Sequence, residues 1–333
     1  MKTSKQKRLL LSISCLCLAL FISGCGNKKT ESSSSSESKS ETEGASAPEK
    51  NYEPEANFVV RNHDKGCTIT GYKGKSKTLN IPSKIGDRPV VKIGYEAFKK
   101  CTDIVNVSIP SGVKEIDDNA FCDCTSLESI EIPDTVKNIG MHVFLRCTSL
   151  KQVTIPSGVT NINFLFGDCT SLEKVDIPSS VTMMVRSFDG CKKLKHVTIP
   201  AGVTKIDGTF SGCTSLESIT IPSGVKEIGA FSFSDCTNLK GVSIPAGVTK
   251  IGEYAFSDCK RFEGIDIPSG VTWIDRNAFS GCSNLRRVTI PSSVKGIDMF
   301  AFKDCSSLKE VKVPRNCGLG YDVFPGGCKV IRY

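Results

Sequence analysis

The stretch CTSLESITIPSGVKEIGAFSFSDC, residues 213–236, begins and ends on cysteine, and the chain repeats it with small changes many times. An Ile-Pro pair, once Val-Pro, places its proline at 82, 110, 133, 156, 178, 200, 222, 245, 268, 291 and 314. After the first interval of 28 the spacing is always 22 or 23 residues. A fixed period of this length marks a stacked array of small units rather than a folded globule.

Each unit reads L-x-x-V-x-I-P-S-G-V-x-x-I-x-x-x-A-F-x-x-C, and the units align into columns. Phenylalanine occupies 98, 121, 144, 166, 188, 210, 233, 256, 279 and 302, and cysteine occupies 101, 124, 147, 169, 191, 213, 236, 259, 282 and 305. Further apolar columns run from Ile104 to Leu308, Val107 to Val311, Val113 to Val294 and Ile93 to Ile297. V-x-I alternates and is β-branched, which suits a short strand buried on one face. Proline ends that strand because it has no N–H for the ladder, and Pro-Ser-Gly suits a tight turn. The A-F-x-x-C segment is too short for an independent helix and is expected to form one helical or 3₁₀ turn. No unit can hide its apolar residues alone, so each must bury them against its neighbours. At ~4.8 Å per coil the array spans about 50 Å. The expected fold is a mostly β solenoid of 22–23-residue coils with short parallel strands.

One surface column supports the stacking independently. Glu128, Lys151, Glu173, Lys195, Glu217, Lys240, Glu263 and Arg286 alternate in sign before Lys309. In stacked coils opposite charges would sit side by side, each exposed pair worth about 0–1 kcal/mol. Three successive units (159–166, 181–188 and 203–210) are one residue shorter between Val and Phe, and a local change of curvature or twist is expected there.

The repeated sentence resembles the leucine-rich repeats of BspA-like bacterial surface proteins over residues 78–313. Segment 58–82 resembles the capping unit that such proteins place first, and 323–333 their last. Gly, Thr or Ser, as at Gly112, Thr135 and Ser180, stands where general leucine-rich repeats carry Asn or Cys, so the usual horseshoe curvature is not implied. The resemblance implies a repeat surface that binds host proteins, neighbouring cells or matrix.

The start of the chain reads as a targeting signal. Basic MKTSKQKR precedes the apolar run 9–22, and Ile22-Ser23-Gly24-Cys25 resembles the lipobox of bacterial lipoproteins. That resemblance implies lipid attachment at Cys25, a membrane anchor and an extracytoplasmic, surface-exposed location; a plain secretory signal is the alternative. Residues 27–50 are rich in Ser and Glu and hold no apolar residue larger than Ala or Pro, the composition of a disordered tether. The expected organisation is therefore signal 1–24, lipidated Cys25 and tether 25–52, N-terminal cap 53–97, repeats 98–313 and C-terminal cap 314–333.

Chemistry is sparse. The net charge is +8, and Lys2, Lys5, Lys7 and Arg8 carry four of those charges, leaving about +4 dispersed over the rest, too little for a nucleic-acid binder. A 22–23-residue cysteine spacing is no zinc motif, and buried cysteine behaves as a small hydrophobe, so a reduced structural ladder is expected, without metal or cofactor. Off those columns, Cys317 and Cys328 are candidates for a disulfide clip in the cap. Only His63, His142 and His196 exist, on different columns, and no nucleophile, zincin or P-loop motif appears, so the chain reads as a non-enzyme. Candidate partner-binding residues are exposed breaks in the columns. Met183 and Trp273 interrupt a polar column, and Tyr254 and Arg186 stand two residues before the Phe column. For Trp273 packing on a neighbouring coil is an equal alternative to a binding role. A protein ligand is expected for a monomeric chain; a cell-wall or glycan ligand is the alternative.

Overall fold

A computed structural model describes residues 51–333. The signal segment, Cys25 and nearly all of the tether fall outside the described residues.

The described residues form a solenoid of short parallel strands, and its one described helix is the 3₁₀ turn Glu55–Asn57. Two ladders run along it. The V-x-I strands pair in parallel from Thr78–Asn80 through Asn106–Ser108 to Ser129–Glu131, then from Gln152–Thr154 to Lys174–Asp176, and again from Gly264–Asp266 to Lys329–Arg332. The V-x-x-I strands pair from Arg88–Ile93 to Asn138–Ile139 and from Lys205–Ile206 to Gly318–Leu319. Between those runs lies only the isolated bridge Asn161–Met183.

The phenylalanine column is the spine. All ten Phe side chains from 98 to 302 are fully buried. Consecutive rings stack with centroids 4.9–6.0 Å apart and planes within 17°. Such offset pairs add about 0.5–1.5 kcal/mol beyond the area they bury. The amide of each of these residues donates to a carbonyl of the next coil at 2.7–3.1 Å, from Phe98 N to Ala120 O through to Phe302 N to Val323 O.

The expected helical turn is not formed there. Amides alternate: Glu96, Phe98 and Lys100 donate to the next coil, while Ala97, Lys99 and Cys101 donate three residues back. In a helix every amide past the first turn bonds to a carbonyl of its own segment, so a helix would not give this residue-by-residue alternation. The alternation needs left-handed backbone at two positions per coil. One is two residues before Phe (Asn119 φ 59°, Phe164 φ 57°, Tyr254 φ 53°), and the other directly precedes Cys (Asp123 φ 62°, Asp258 φ 56°, Gly281 φ 75°).

The cysteine column runs alongside as a reduced ladder. From Cys124 to Cys305 each Sγ lies 3.0–3.2 Å from the carbonyl oxygen of the preceding coil's Phe. Burial pushes these thiols well above their ordinary range, so they remain protonated donors.

The ends differ from the repeats. At the start, Phe58–His63 and Gly66–Tyr72 form an antiparallel hairpin, and Tyr72 extends the spine, its ring 5.5 Å from Phe98. Buried Glu53 accepts hydrogen bonds from Tyr72 Oη and Asn57 Nδ2, both at 2.7 Å. At the other end Phe324 stacks on Phe302, and Arg332 Nη1 donates to Pro314 and Cys317 carbonyls at 2.9 and 2.7 Å.

The disulfide clip is not formed here. Cys317 and Cys328 are separate free thiols. Cys317 N donates to Pro314 O as Val294 N donates to Pro291 O, which places Cys317 in the valine position after the turn, whereas Cys328 neighbours Cys305 and prolongs the cysteine column. Cys67, opposite Val90, fills the same valine column at the first coil. Their off-column reading in the sequence followed from the changed spacing of the caps.

Candidate functional site

The three short units differ from the others in their hydrogen bonding. Ordinary units bond the residue after the inner Ile back to the preceding coil, as Asp117 N does to Ile93 O at 2.9 Å. Short units lack that bond and use side chains: Asn163 N donates to Asn161 Oδ1 (2.8 Å) and Val185 N to Asn163 Oδ1 (2.7 Å). The alanine before Phe becomes Leu165, Ser187 and Thr209. Thr209 Oγ1 donates to Met184 O at 2.7 Å, and Ser232 Oγ in the next unit donates to Ile206 O at 2.9 Å. Ser187 Oγ, fully buried, has no partner among the described residues.

Next to these units the V-x-I ladder opens. Among the described residues no backbone hydrogen bond joins 196–199 to 174–177 or to 218–221, and none joins 241–244 to either neighbour. In other coils such bonds recur, as from Ile109 N to Glu131 O, Ile155 N to Asp176 O and Ile267 N to Thr289 O at 3.0–3.1 Å, although the step from 129–132 to 152–155 also lacks them. Val197 and Val242 are half-buried, whereas Val107, Val153, Val175, Ile265 and Val311 of the same column are buried. The opening leaves a groove of about 780 Å³ with Val175, Val197, Ile199 and Ile219 in its lining and Glu173, Lys195 and His196 among its polar members.

The alternating charges follow the ladder. Lys151 reaches Glu128 at 2.7 Å and Lys240 reaches Glu217 at 3.1 Å, and Lys240 holds the Glu217 carboxyl below its ordinary value. Glu173 faces Lys193 at 3.9 Å instead of Lys195. Lys195, in the middle of the opening, has no salt bridge among the described residues.

Trp273 is 44% and Met183 48% exposed. They share a column but stand apart, because Lys205, Glu227 and Lys250 intervene along the ladder. Trp273 lies across Gly296 of the next coil, where an added Cβ would fall 2.2 Å from its Cζ3. The indole thus covers its neighbour with one face while the rest meets solvent. Tyr254 stacks on Phe231 with centroids 5.0 Å apart, and Arg186 lies along Gly208, whose added Cβ would meet Arg186 Cγ at 2.7 Å. The structure does not gather these four residues into one site. Val197, Ile199 and Ile219, which line that groove, look like ordinary core positions in the sequence. The only signal there is the 22-residue spacing of the adjacent units. No cluster of metal-ligating side chains occurs among the described residues.

Fold and repeat together define a leucine-rich-repeat solenoid. The model of the BspA type leucine rich repeat region matches residues 91–209 and 206–330, and the chain belongs to that family. It is 30% identical to a leucine rich cell surface protein of Faecalibacterium prausnitzii, over 79% of this chain and 92% of that one, with a TM-score of 0.44. The leucine rich repeat protein of T. pallidum is 25% identical over 77% and 90% of the two chains, with a TM-score of 0.36. The pneumococcal vaccine antigen PcpA is 20% identical over 80% and 84%, with a TM-score of 0.57. No curated protein matches the sequence. Repeat families of this kind are typically binding scaffolds, and this membership points to a protein-interaction or adhesion module.

Proposed function

We propose that this chain is a bacterial surface lipoprotein, held at the membrane through Cys25, whose solenoid binds a macromolecular partner without catalysis. The partner is a protein of a host, a neighbouring cell or the matrix. The observation that carries the reading is the opened stretch of strand ladder over residues 174–222. In most other coils the strand groups bond one another. Here main-chain donors and acceptors, an apolar floor and an uncompensated lysine are offered together. An extended segment of a partner satisfies such a surface by main-chain bonds and side-chain insertion, the strand-addition mode of recognition.

The soluble 51–333 unit, immobilised and exposed to matrix and cell-surface proteins, tests the binding. Capture that is lost in Val197→Asp and Lys195→Glu, yet retained in Lys312→Glu, supports the reading. Capture indifferent to all three contradicts it. Anchoring is tested separately by Cys25→Ala, which should release the full chain from the membrane fraction and abolish acyl labelling.

A further inference from the structure

A second cavity lies on the phenylalanine-turn side of the short units. It encloses about 290 Å³ between His142, Phe164, Arg186, Asp168, Asp189 and the Leu145–Gly167 floor. Its composition departs from the repeat in two ways. Asp189 is the sole carboxylate in the column that follows Phe, where Ser211, Ser234, Ser257 and Ser280 stand in later coils. It is half-buried, and burial raises its carboxyl above the ordinary value against a hydrogen bond from Ser211 and the charge of Arg186. The Arg186 guanidinium makes no salt bridge or hydrogen bond among the described residues, although two carboxylates line the same cavity.

We propose that this cavity binds a single pyranose ring of a glycan. Phe164, half-exposed and tilted at 51° to His142 with centroids 5.4 Å apart, offers an aromatic surface for the C–H face of a sugar. Asp168, Asp189 and Arg186 offer acceptors and donors for vicinal hydroxyls, the small set of placed polar groups that orients a ligand on an apolar wall. Arg186 works against a simple cation as occupant. The cavity admits one ring, so affinity for a lone sugar is in the millimolar range. The site is separate from the strand-face groove, and its failure would leave the protein-partner reading untouched.

The test is NMR titration of the full chain with methyl pyranosides of glucose, galactose and N-acetylglucosamine. At least one should shift His142 and Phe164 resonances with a millimolar Kd. Asp189→Ser and Phe164→Asn, both residues that other coils carry at the same column, should weaken it more than tenfold with folding intact by circular dichroism. Tyr254→Asn, at the stacked pair with Phe231, should bind as the parent does. Competition by the same pyranoside against co-sedimentation with wall polysaccharide, or against capture on an immobilised glycoprotein, separates the two sources of such a sugar. No shift with any pyranoside, equal binding by Asp189→Ser and Phe164→Asn, or a response only to lysine methyl ester overturns the proposal.

Discussion

The two long faces of the solenoid respond differently to the same irregularity. Where three units lose a residue, the phenylalanine face keeps every coil-to-coil bond, from Phe144 N to Leu165 O at 3.1 Å to Phe210 N to Ser232 O at 2.9 Å. The strand face over 196–199, 218–221 and 241–244 keeps none. The phenylalanine turn combines ring stacking, a thiol ladder and alternating amides, so losing one term leaves the others in place. The V-x-I strand has two or three backbone bonds and a thin apolar column, and small changes in coil geometry undo it. The lesson is that this repeat holds its register on one side and can therefore open on the other.

The strongest way to break the comparison is to remove a spine ring and a strand side chain from the same coils. Phe210→Ala should cost about 3–5 kcal/mol, the range for emptying a buried aromatic site. Val197→Ala, on the open face and already half-solvated, should cost under ~1.5 kcal/mol. Chemical denaturation of both variants checks this, and equal costs would erase the difference between faces.

The N-terminal end of the spine gives a pH handle. Burial opposes the charge of Glu53, yet hydrogen bonds from Ser76, Tyr72 and Asn57 prevail and hold its carboxyl below the ordinary value. Burial, and then the same contact with Glu53, push Tyr72 up to about 12. A carboxyl depressed in the folded state stabilises fully above its unfolded value, near pH 4.3, and the contribution is lost as pH falls through the folded value. Glu53→Gln should cost about 1–3 kcal/mol at neutral pH and flatten the acid limb of the stability curve. Melting curves between pH 3 and 7 read the difference, and an unchanged acid limb would remove Glu53 from the capping account.

Smaller effects refine the picture. Ser187→Ala removes a buried hydroxyl without a partner and should stabilise the short units by about 1 kcal/mol, opposite in sign to most core truncations. Gly296→Ala should push the Trp273 ring off its coil, shift the emission of the single tryptophan to the red and cost about 1 kcal/mol or less.

Much of this was readable in the sequence because a repeated core residue reports its own burial. Phe210 and Cys213 are buried as their columns demand, and Cys305 through Cys124 form the expected thiol ladder. The segment before Cys forms no helical turn, and the sequence does not reveal this because apolar spacing says nothing about which neighbour an amide bonds. The Asp and Gly residues before Cys, such as Asp258 and Gly281, carry the left-handed preference in hindsight. Trp273 was balanced between packing and display, and the structure gives it some of each, because Gly296 beneath it leaves room for the ring. The open groove was hidden for a different reason. Val197 and Ile219 obey the repeat, and only the shortened turns beside them, with Asn161 and Asn163 supplying substitute bonds, alter what those valine and isoleucine positions touch.

Residue-resolved amide hydrogen exchange on the 51–333 unit tests the two-faced account most directly. The amides of Phe188 and Phe210 should exchange as slowly as those of Phe121 and Phe279, near the limit of global unfolding. Those of Val197, Ile199, Ile221 and Ile244 should exchange orders of magnitude faster than Ile109, Ile155 and Ile267. Uniform protection along the strand column, or fast exchange at Phe188 and Phe210, would contradict a closed spine beside an opened strand face.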